Sequence, residues 1–185
     1  MAFLEDYADL LRAPLFRTEE SGNHPVRIAS ISDFPSYGYL PTPSRRVLLG
    51  ERYHEARRYR LQPHDVLVTI VGTVGRVAVV ADHLSEDWVP ATNIVILRPR
   101  EPTVGIAAAL YLFFRSDSGR RAFDGLVHGK SIRLVSKKAL AKIPIPTLTV
   151  KILKESGELF RAEIDLYERY LRAQKEMVSR IGDLF

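Results

Sequence analysis

The sequence predicts an α+β fold: a mixed β domain with small helices over residues 1–149, followed by a long C-terminal coiled-coil helix over residues 150–185. Three observations carry this. Short β-branched runs punctuated by Gly and Pro read as strands. One Ala/Leu-rich run between them reads as a buried helix. From Val150 onward there is no proline, and apolar residues return every seven positions.

The domain is organised around Leu61–Val80. Val66–Val71 and Val77–Val80 flank Gly72-Thr73-Val74-Gly75-Arg76, which predicts a β-hairpin with Arg76 at its tip. Before it, Phe3, Leu4, Tyr7, Leu10 and Leu11 have helical spacing, so Met1–Leu11 is expected to be a short amphipathic helix. Val26–Ile31 alternates as a strand does. Phe34–Gly50, broken by Pro35, Gly38, Pro41 and Pro43, is expected to be a long exposed loop carrying Tyr37 and Tyr39.

Arg45, Arg46, Arg52, Arg57, Arg58 and Arg60 then meet only Glu51 and Glu55. This is either a solvated face or a phosphate-tracking patch with aromatic neighbours Tyr53 and Tyr59. After the hairpin, Trp88-Val89-Pro90 is a packing element and Ile94–Leu97 a buried strand. Gly105–Phe114 and Arg120–Val127 are helical pieces separated at Ser116–Gly119. His128–Arg133 is a Gly-centred loop. Ser136 caps a short helix, and Ile143-Pro144-Ile145-Pro146 belongs at a sheet edge, because its prolines cannot donate to a ladder.

In the last segment Leu153, Phe160, Tyr167, Gln174 and Ile181 recur every seven residues, with Gly157, Ile164, Leu171, Val178 and Phe185 four residues further on. This a/d pattern calls for a second helix. The alternative is a single amphipathic helix folded back on its own domain.

The chain has 185 residues, no cysteine and a formal net charge of +5. Thiolate metal sites, disulfides and cysteine nucleophiles are thereby excluded, which fits a reducing, cytoplasmic setting. No apolar run is long enough to span a bilayer. The modest basic excess favours a polyanionic partner. His24, His54, His64, His83 and His128 form no metal-binding pair, GxSxG and GxxxxGK[ST] are missing, and no cofactor is expected. The sequence therefore reads as a binding module. Two other classes stay open: a metal-dependent nuclease using Asp65, Asp82 and Asp87, and a protein–protein adaptor whose arginines only solubilise it.

The series Arg60-Leu61-Gln62-Pro63-His64-Asp65-Val66-Leu67-Val68, Gly72–Ala78, Asn93–Pro99, Tyr111–Ser116, Gly129–Ile132 and Leu140–Pro146 resembles the target recognition domain of type I restriction–modification specificity subunits. The resemblance covers Val26–Pro146, and the helix after it also fits. His64 stands where the family usually has glycine, and Thr147-Leu148-Thr149-Val150 replaces its usual Pro-Glu-Gln signature. The family carries two recognition domains and two long helices, whereas this chain has one of each.

The resemblance implies a non-catalytic subunit that reads half of a bipartite DNA sequence and docks an adenine-N6 methyltransferase, with or without a restriction subunit. It also implies a homodimer through the helix at Leu153, Phe160, Ile164, Tyr167, Leu171, Gln174, Val178 and Ile181. DNA-facing candidates in that reading are Tyr37, Tyr39, Arg45 and Arg46, then Thr73 and Arg76, then His128, Lys130, Ser131 and Arg133. Arg57, Arg58, Lys137 and Lys138 are the candidates for phosphate contact.

Overall fold

The computed structural model describes residues 2–19, 22–129 and 131–182. In chain order the elements are β1 (Ala2–Phe3), α1 (Leu4–Tyr7), β2 (Ala8–Leu11), β3 (His24–Ala29), β4 (Arg45–Leu49), α2 (Tyr53–Ala56), β5 (Val66–Thr69), β6 (Val77–Val79), β7 (Trp88–Pro90), β8 (Ile94–Pro99), α3 (Val104–Arg115), α4 (Asp117–Asp124), α5 (Lys137–Ala141), β9 (Pro144–Ile145) and α6 (Val150–Gly182). Short 3-10 turns lie at Ile31–Asp33 and Arg57–Tyr59.

The central sheet has the order β2-β8-β5-β6, antiparallel throughout. Both of its faces are covered, which is why β5, β6 and β8 read as continuous apolar runs. Alternate residues still go to opposite sides. Val66, Val68, Val77, Val79, Val95 and Leu97 pack with α3 and Phe160. Leu67, Ala78, Ile94 and Ile96 pack with Trp88, Phe34 and Leu40. A second sheet, β4-β3-β7, pairs β3 antiparallel to β4 and parallel to β7.

Two expectations are corrected here. The N-terminus is not one amphipathic helix. Only Leu4–Tyr7 is helical, held by Phe3 N–H donating to Asp6 at 2.7 Å. β1 instead pairs with β9, and β2 with β8. A helix this short gains little from its own hydrogen bonds, so long-range ladders decide the outcome. Likewise, Phe34–Gly50 is not a loop throughout. Val47 and Leu49 are buried beside Val26 and Ile28, making Arg45–Leu49 a strand whose apolar alternation is masked by arginine. Phe34 and Leu40 are buried as well.

The predicted hairpin forms, and Gly72 and Gly75 take positive φ of 77° and 82°. His64 is the one non-glycine with positive φ among the described residues, at 69°. Thr103, Ser116 and Ser136 cap α3, α4 and α5 through their side-chain oxygens. Gly119 permits the tight α3–α4 junction, since a Cβ there would stand 1.9 Å from the Phe113 carbonyl oxygen. The Ile143–Pro146 segment lies at an edge as expected, with Pro144 and Ile145 in the two-stranded sheet.

α6 begins where Thr149 accepts a hydrogen bond from Ile152 N–H at 3.3 Å. Its first half lies against α3, where Gly105 lets the Leu153 backbone approach. Phe160 is 1% exposed. Its ring meets Tyr111 at 5.0 Å and Tyr39 at 5.1 Å, both edge-on. Its second half has no such cover: every residue from 168 to 181 is exposed.

Candidate nucleic-acid interface

The tip of the β5–β6 hairpin and the His128–Arg133 loop are joined into one structure. Gly72 N–H donates to the Arg133 carbonyl at 2.9 Å, and Val135 N–H donates to the Ile70 carbonyl at 2.8 Å. Val71 and Leu134 form an antiparallel bridge. His128 and Leu134 exchange both backbone hydrogen bonds, each 2.9 Å, and so close a miniature hairpin of their own. Gly129 has a φ of 95°, and a Cβ on it would stand 2.1 Å from the Ile132 carbonyl oxygen, so this closure needs glycine. Inside the other tip, the Thr69 hydroxyl donates to the Thr73 carbonyl at 2.6 Å and accepts from Arg76 N–H at 2.9 Å. Thr73, His128, Ser131 and Arg133 are exposed on this joined surface, with Lys137 and Lys138 following at the start of α5. Lys130 lies outside the described residues.

Arg76 does not project from the tip as expected. Its guanidinium donates to the carbonyls of Ile31 at 3.2 Å and Phe34 at 2.6 Å, and lies over the Phe34 ring. It acts as a strut tying the hairpin to the 31–34 turn. Tyr39 is also a packing residue. It bridges to Val79, its ring abuts Phe160, and burial raises its hydroxyl pKa, with Asp82 adding to the shift and Arg161 opposing it. Tyr37 stays partly exposed, with the Arg115 guanidinium 4.4 Å from its ring centre and Tyr167 tilted against it at 5.5 Å.

The arginine-rich segment divides by strand geometry. Arg45 and Arg46 are neighbours on β4, so they point to opposite faces of the sheet. Arg46 reaches Glu86 at 3.7 Å, and Arg27 holds the same carboxylate. Arg52 pairs with Glu55 at 2.8 Å and Arg60 with Asp87 at 2.9 Å. Arg45, Arg57 and Arg58 are exposed and have no acidic partner among the described residues. The Arg45 end of β4 adjoins the 31–34 turn, where Asp33 accepts from both Ser44 N–H and Ser44 hydroxyl at 3.1 Å. Hydrogen bonds to Ser30 and Ser44 hold the Asp33 carboxyl below its usual range against the opposing, larger single effect of burial. That turn also receives Arg76, so Arg45 and the hairpin tip flank one element. Arg57 and Arg58 sit apart, on the turn leading to β5.

The candidate carboxylates do not converge. Asp65 is buried, takes hydrogen bonds from Arg98 at 2.8 and 2.9 Å, and accepts from Gln62 N–H at 2.8 Å. Burial pushes its pKa up, against the pull of Arg98. Asp87 is held by Arg60 and by the Tyr53 hydroxyl at 2.8 Å, and Asp82 lies 3.4 Å from His64 Nδ1. Among the described residues no group of three or more His, Asp or Glu side chains is placed to hold a metal ion. No helix among them is long and apolar enough to cross a membrane.

The expected dimerisation seam is split. Leu153, Phe160, Ile164 and Tyr167 face the chain's own domain, Phe160 buried in the cluster under α3 and the other three half-buried against the domain. Leu171, Gln174, Val178 and Ile181 are exposed. A second apolar stripe joins them, with Leu166 at 69%, Tyr170 at 59% and Met177 at 58% exposure. Between this stripe and Ser36–Tyr37 runs an open groove of about 790 Å³, lined also by Glu163, Tyr167 and Gln174.

No family model and no curated protein sequence matches the chain. Solved structures do. The S subunit of a type I restriction–modification system from M. genitalium aligns over 96% of this chain and 41% of its own, with TM-score 0.56 and 13% identity. The HsdS subunit from Thermoanaerobacter tengcongensis aligns over 93% of this chain and 38% of its own, with TM-score 0.59 and 18% identity. A chain from a structure of type I R-M complex assembly and conformational transition aligns over 98% and 42%, with TM-score 0.65 and 17% identity. The fold is that of a type I specificity subunit. At these identities the likeness is one of fold, and the chain spans about two fifths of the length of the chains it matches. The specificity-subunit fold accounts for a mixed β domain continuing into one long, half-covered helix.

Proposed function

We propose that this chain is a DNA-recognition module. It reads one half of an interrupted, palindromic duplex sequence and directs an adenine-N6 methyltransferase, with or without a restriction subunit, without catalysing a reaction itself. Two copies pair through α6 to supply the two half-sites. The observation that carries this reading is the combination of a specificity-subunit fold over nearly the whole chain with an uncovered apolar stripe along the second half of α6. The joined hairpin and loop supply a rigid surface with exposed Thr73, His128, Ser131 and Arg133 for the groove, and Lys137, Lys138, Arg45, Arg57 and Arg58 supply cations for phosphates.

Charge along α6 supports antiparallel pairing. Residues 158–168 carry Glu158, Glu163, Asp165 and Glu168 against Arg161, whereas residues 169–180 carry Arg169, Arg172, Lys175 and Arg180 against Glu176. Antiparallel helices place the acidic half against the basic half, and parallel ones place like on like.

The test is duplex binding by the full-length chain across a salt series, with co-purification against an adenine methyltransferase subunit. The expected result is binding whose log K falls linearly with log salt, with a slope of about −0.9 per phosphate neutralised, together with a stable complex. Salt-independent or undetectable duplex binding, with no methyltransferase complex, rules the reading out.

A further inference from the structure

From His128 to Lys142 the chain has Lys130, Arg133, Lys137, Lys138 and Lys142 and no acidic residue. In the middle of this stretch is Ile132, 62% exposed, with Leu134 beside it at 42%. Isolated exposed apolar residues are ordinary on protein surfaces. Ile132 differs in how it is held. The loop that presents it is closed at its base by the paired His128–Leu134 hydrogen bonds, and the Gly129 backbone passes so close to the Ile132 carbonyl that no side chain fits between them. The next residue, Arg133, is anchored through its carbonyl to the hairpin tip. A β-branched side chain on such a backbone has little rotameric freedom left. A stiff apolar side chain is therefore held outward, next to Arg133 and a few residues before the exposed Lys137 and Lys138.

We infer that Ile132 is a specificity-determining residue that makes apolar contact with a base in the DNA groove, while nearby cations such as Lys137 and Lys138 hold phosphates. The inference rests on the proposed DNA-recognition function and adds a residue to it. Cations alone track a backbone without reading it, and sequence discrimination needs contact with base edges or base steps. An isoleucine supplies two such contacts: against a thymine methyl in the major groove, or as a wedge at a base step in the minor groove. The shared chemistry is an apolar surface meeting the apolar part of a base. Arg133 meets Asp124 at 3.5 Å and Lys142 pairs with Glu5, but Lys137 and Lys138 are exposed with no acidic partner among the described residues. These free cations favour this over docking of a protein, for which exposed lysines bring no complementary charge unless the partner is acidic.

The experiment selects duplexes from a random-sequence pool with the full-length wild-type chain. Affinities for a selected duplex and for a scrambled duplex of equal length are then compared across wild type, Ile132→Ala, Ile132→Leu and Arg133→Ala. Ile132→Ala is expected to weaken binding to the selected duplex about tenfold. It should leave the scrambled duplex and the salt slope unchanged, and Ile132→Leu should retain most of the preference. Arg133→Ala should weaken both duplexes and reduce the salt slope by about one. Substituting deoxyuridine for thymine at each selected position, and 2-aminopurine fluorescence at adjacent steps, separates the methyl contact from the wedge. Equal behaviour of Ile132→Ala and wild type on the selected duplex overturns the inference while leaving the DNA-recognition reading intact, as does an equal loss on both duplexes. If the wild-type chain binds the pool with no sequence preference, both fall together. Thermal unfolding of Ile132→Ala, expected to match wild type because the side chain is exposed, excludes misfolding as the cause.

Discussion

The ring of Phe160 on α6 stands edge-on to the ring of Tyr111 on α3, with centroids 5.0 Å apart and planes at 70°. This pair joins the long helix to the domain. Six residues further along, Leu166 is largely exposed. Phe160→Ala is expected to destabilise the chain by about 3–5 kcal/mol, as truncation of a buried aromatic does. Leu166→Ala should stay within about 0.5 kcal/mol. Urea unfolding at low protein concentration, where self-association is minimal, checks both. A small loss for Phe160→Ala would mean that the helix is not fastened to the domain as described.

Tyr111 itself gives a pH prediction. Burial is the largest cause raising its pKa, to about 12, with the Gly38 N–H hydrogen bond opposing and Glu163 adding to the rise. The folded state thus favours the neutral phenol. Its contribution to stability is fully present below the unfolded value near 10 and is lost as pH rises towards 12. The pKa values of Tyr39 and Tyr53 are also raised, but ultraviolet titration should show one last step near the top of the range, and that last step should vanish in Tyr111→Phe. Melting temperature should fall between pH 10 and 12 more steeply in wild type than in Tyr111→Phe.

His64 tests backbone strain. It holds a φ of 69° just before the buried Asp65–Arg98 pair. The left-handed region costs a non-glycine residue about 1–2 kcal/mol. Glycine relieves that strain but adds disorder to the unfolded chain, by about 0.4–1 kcal/mol. His64→Gly is therefore expected to leave stability unchanged or slightly raised, and His64→Val, β-branched at positive φ, to lose about 1–2 kcal/mol. Calorimetry on the two variants gives the comparison. A loss in His64→Gly as large as that in His64→Val would show that the side chain, and not the backbone, governs this position.

The uncovered face of α6 predicts self-association. Replacing both Tyr170 and Met177 with glutamate should convert a dimer to a monomer in sedimentation velocity without changing monomer stability by more than about 0.5 kcal/mol. Leu153→Ala, on the side that faces the domain, should lower stability and leave the association constant of the folded chain intact. Because the chain has no cysteine, single cysteines at Leu159 and Val178 provide a direct orientation test. Cross-linking of 159 to 178 between chains is expected for antiparallel pairing, and of each position to itself for parallel pairing.

Local patterning made much of this molecule legible. The β5–β6 hairpin, β8, α3 and the long α6 follow from apolar runs and their period, and the cap of α5 from Ser136. Ser116, expected only to interrupt the helices, instead caps α4, which starts at Asp117 and not at Arg120. These elements are specified by residues near one another in the chain, so periodicity and capping suffice. The N-terminal segment has apolar spacing that fits a helix, whereas its backbone partners lie far along the chain, Ile96 for Leu11 and Ile145 for Ala2. β4 was hidden because three of its five residues are exposed and two are arginines.

The sequence by itself determined the inventory: a mixed β domain, a long helix, a basic balance and no thiol chemistry. Only the tertiary structure decided which of those side chains are available. It placed Arg76 and Tyr39 in packing roles, divided Arg45 from Arg46 across a sheet, covered half of the helical seam with the domain's own core, and joined the hairpin tip to the loop that carries Ile132. The physical reason is the same in each case. Periodicity records which face of an element is apolar, but whether that face or a given cation meets the chain itself or remains free depends on contacts between residues far apart in sequence.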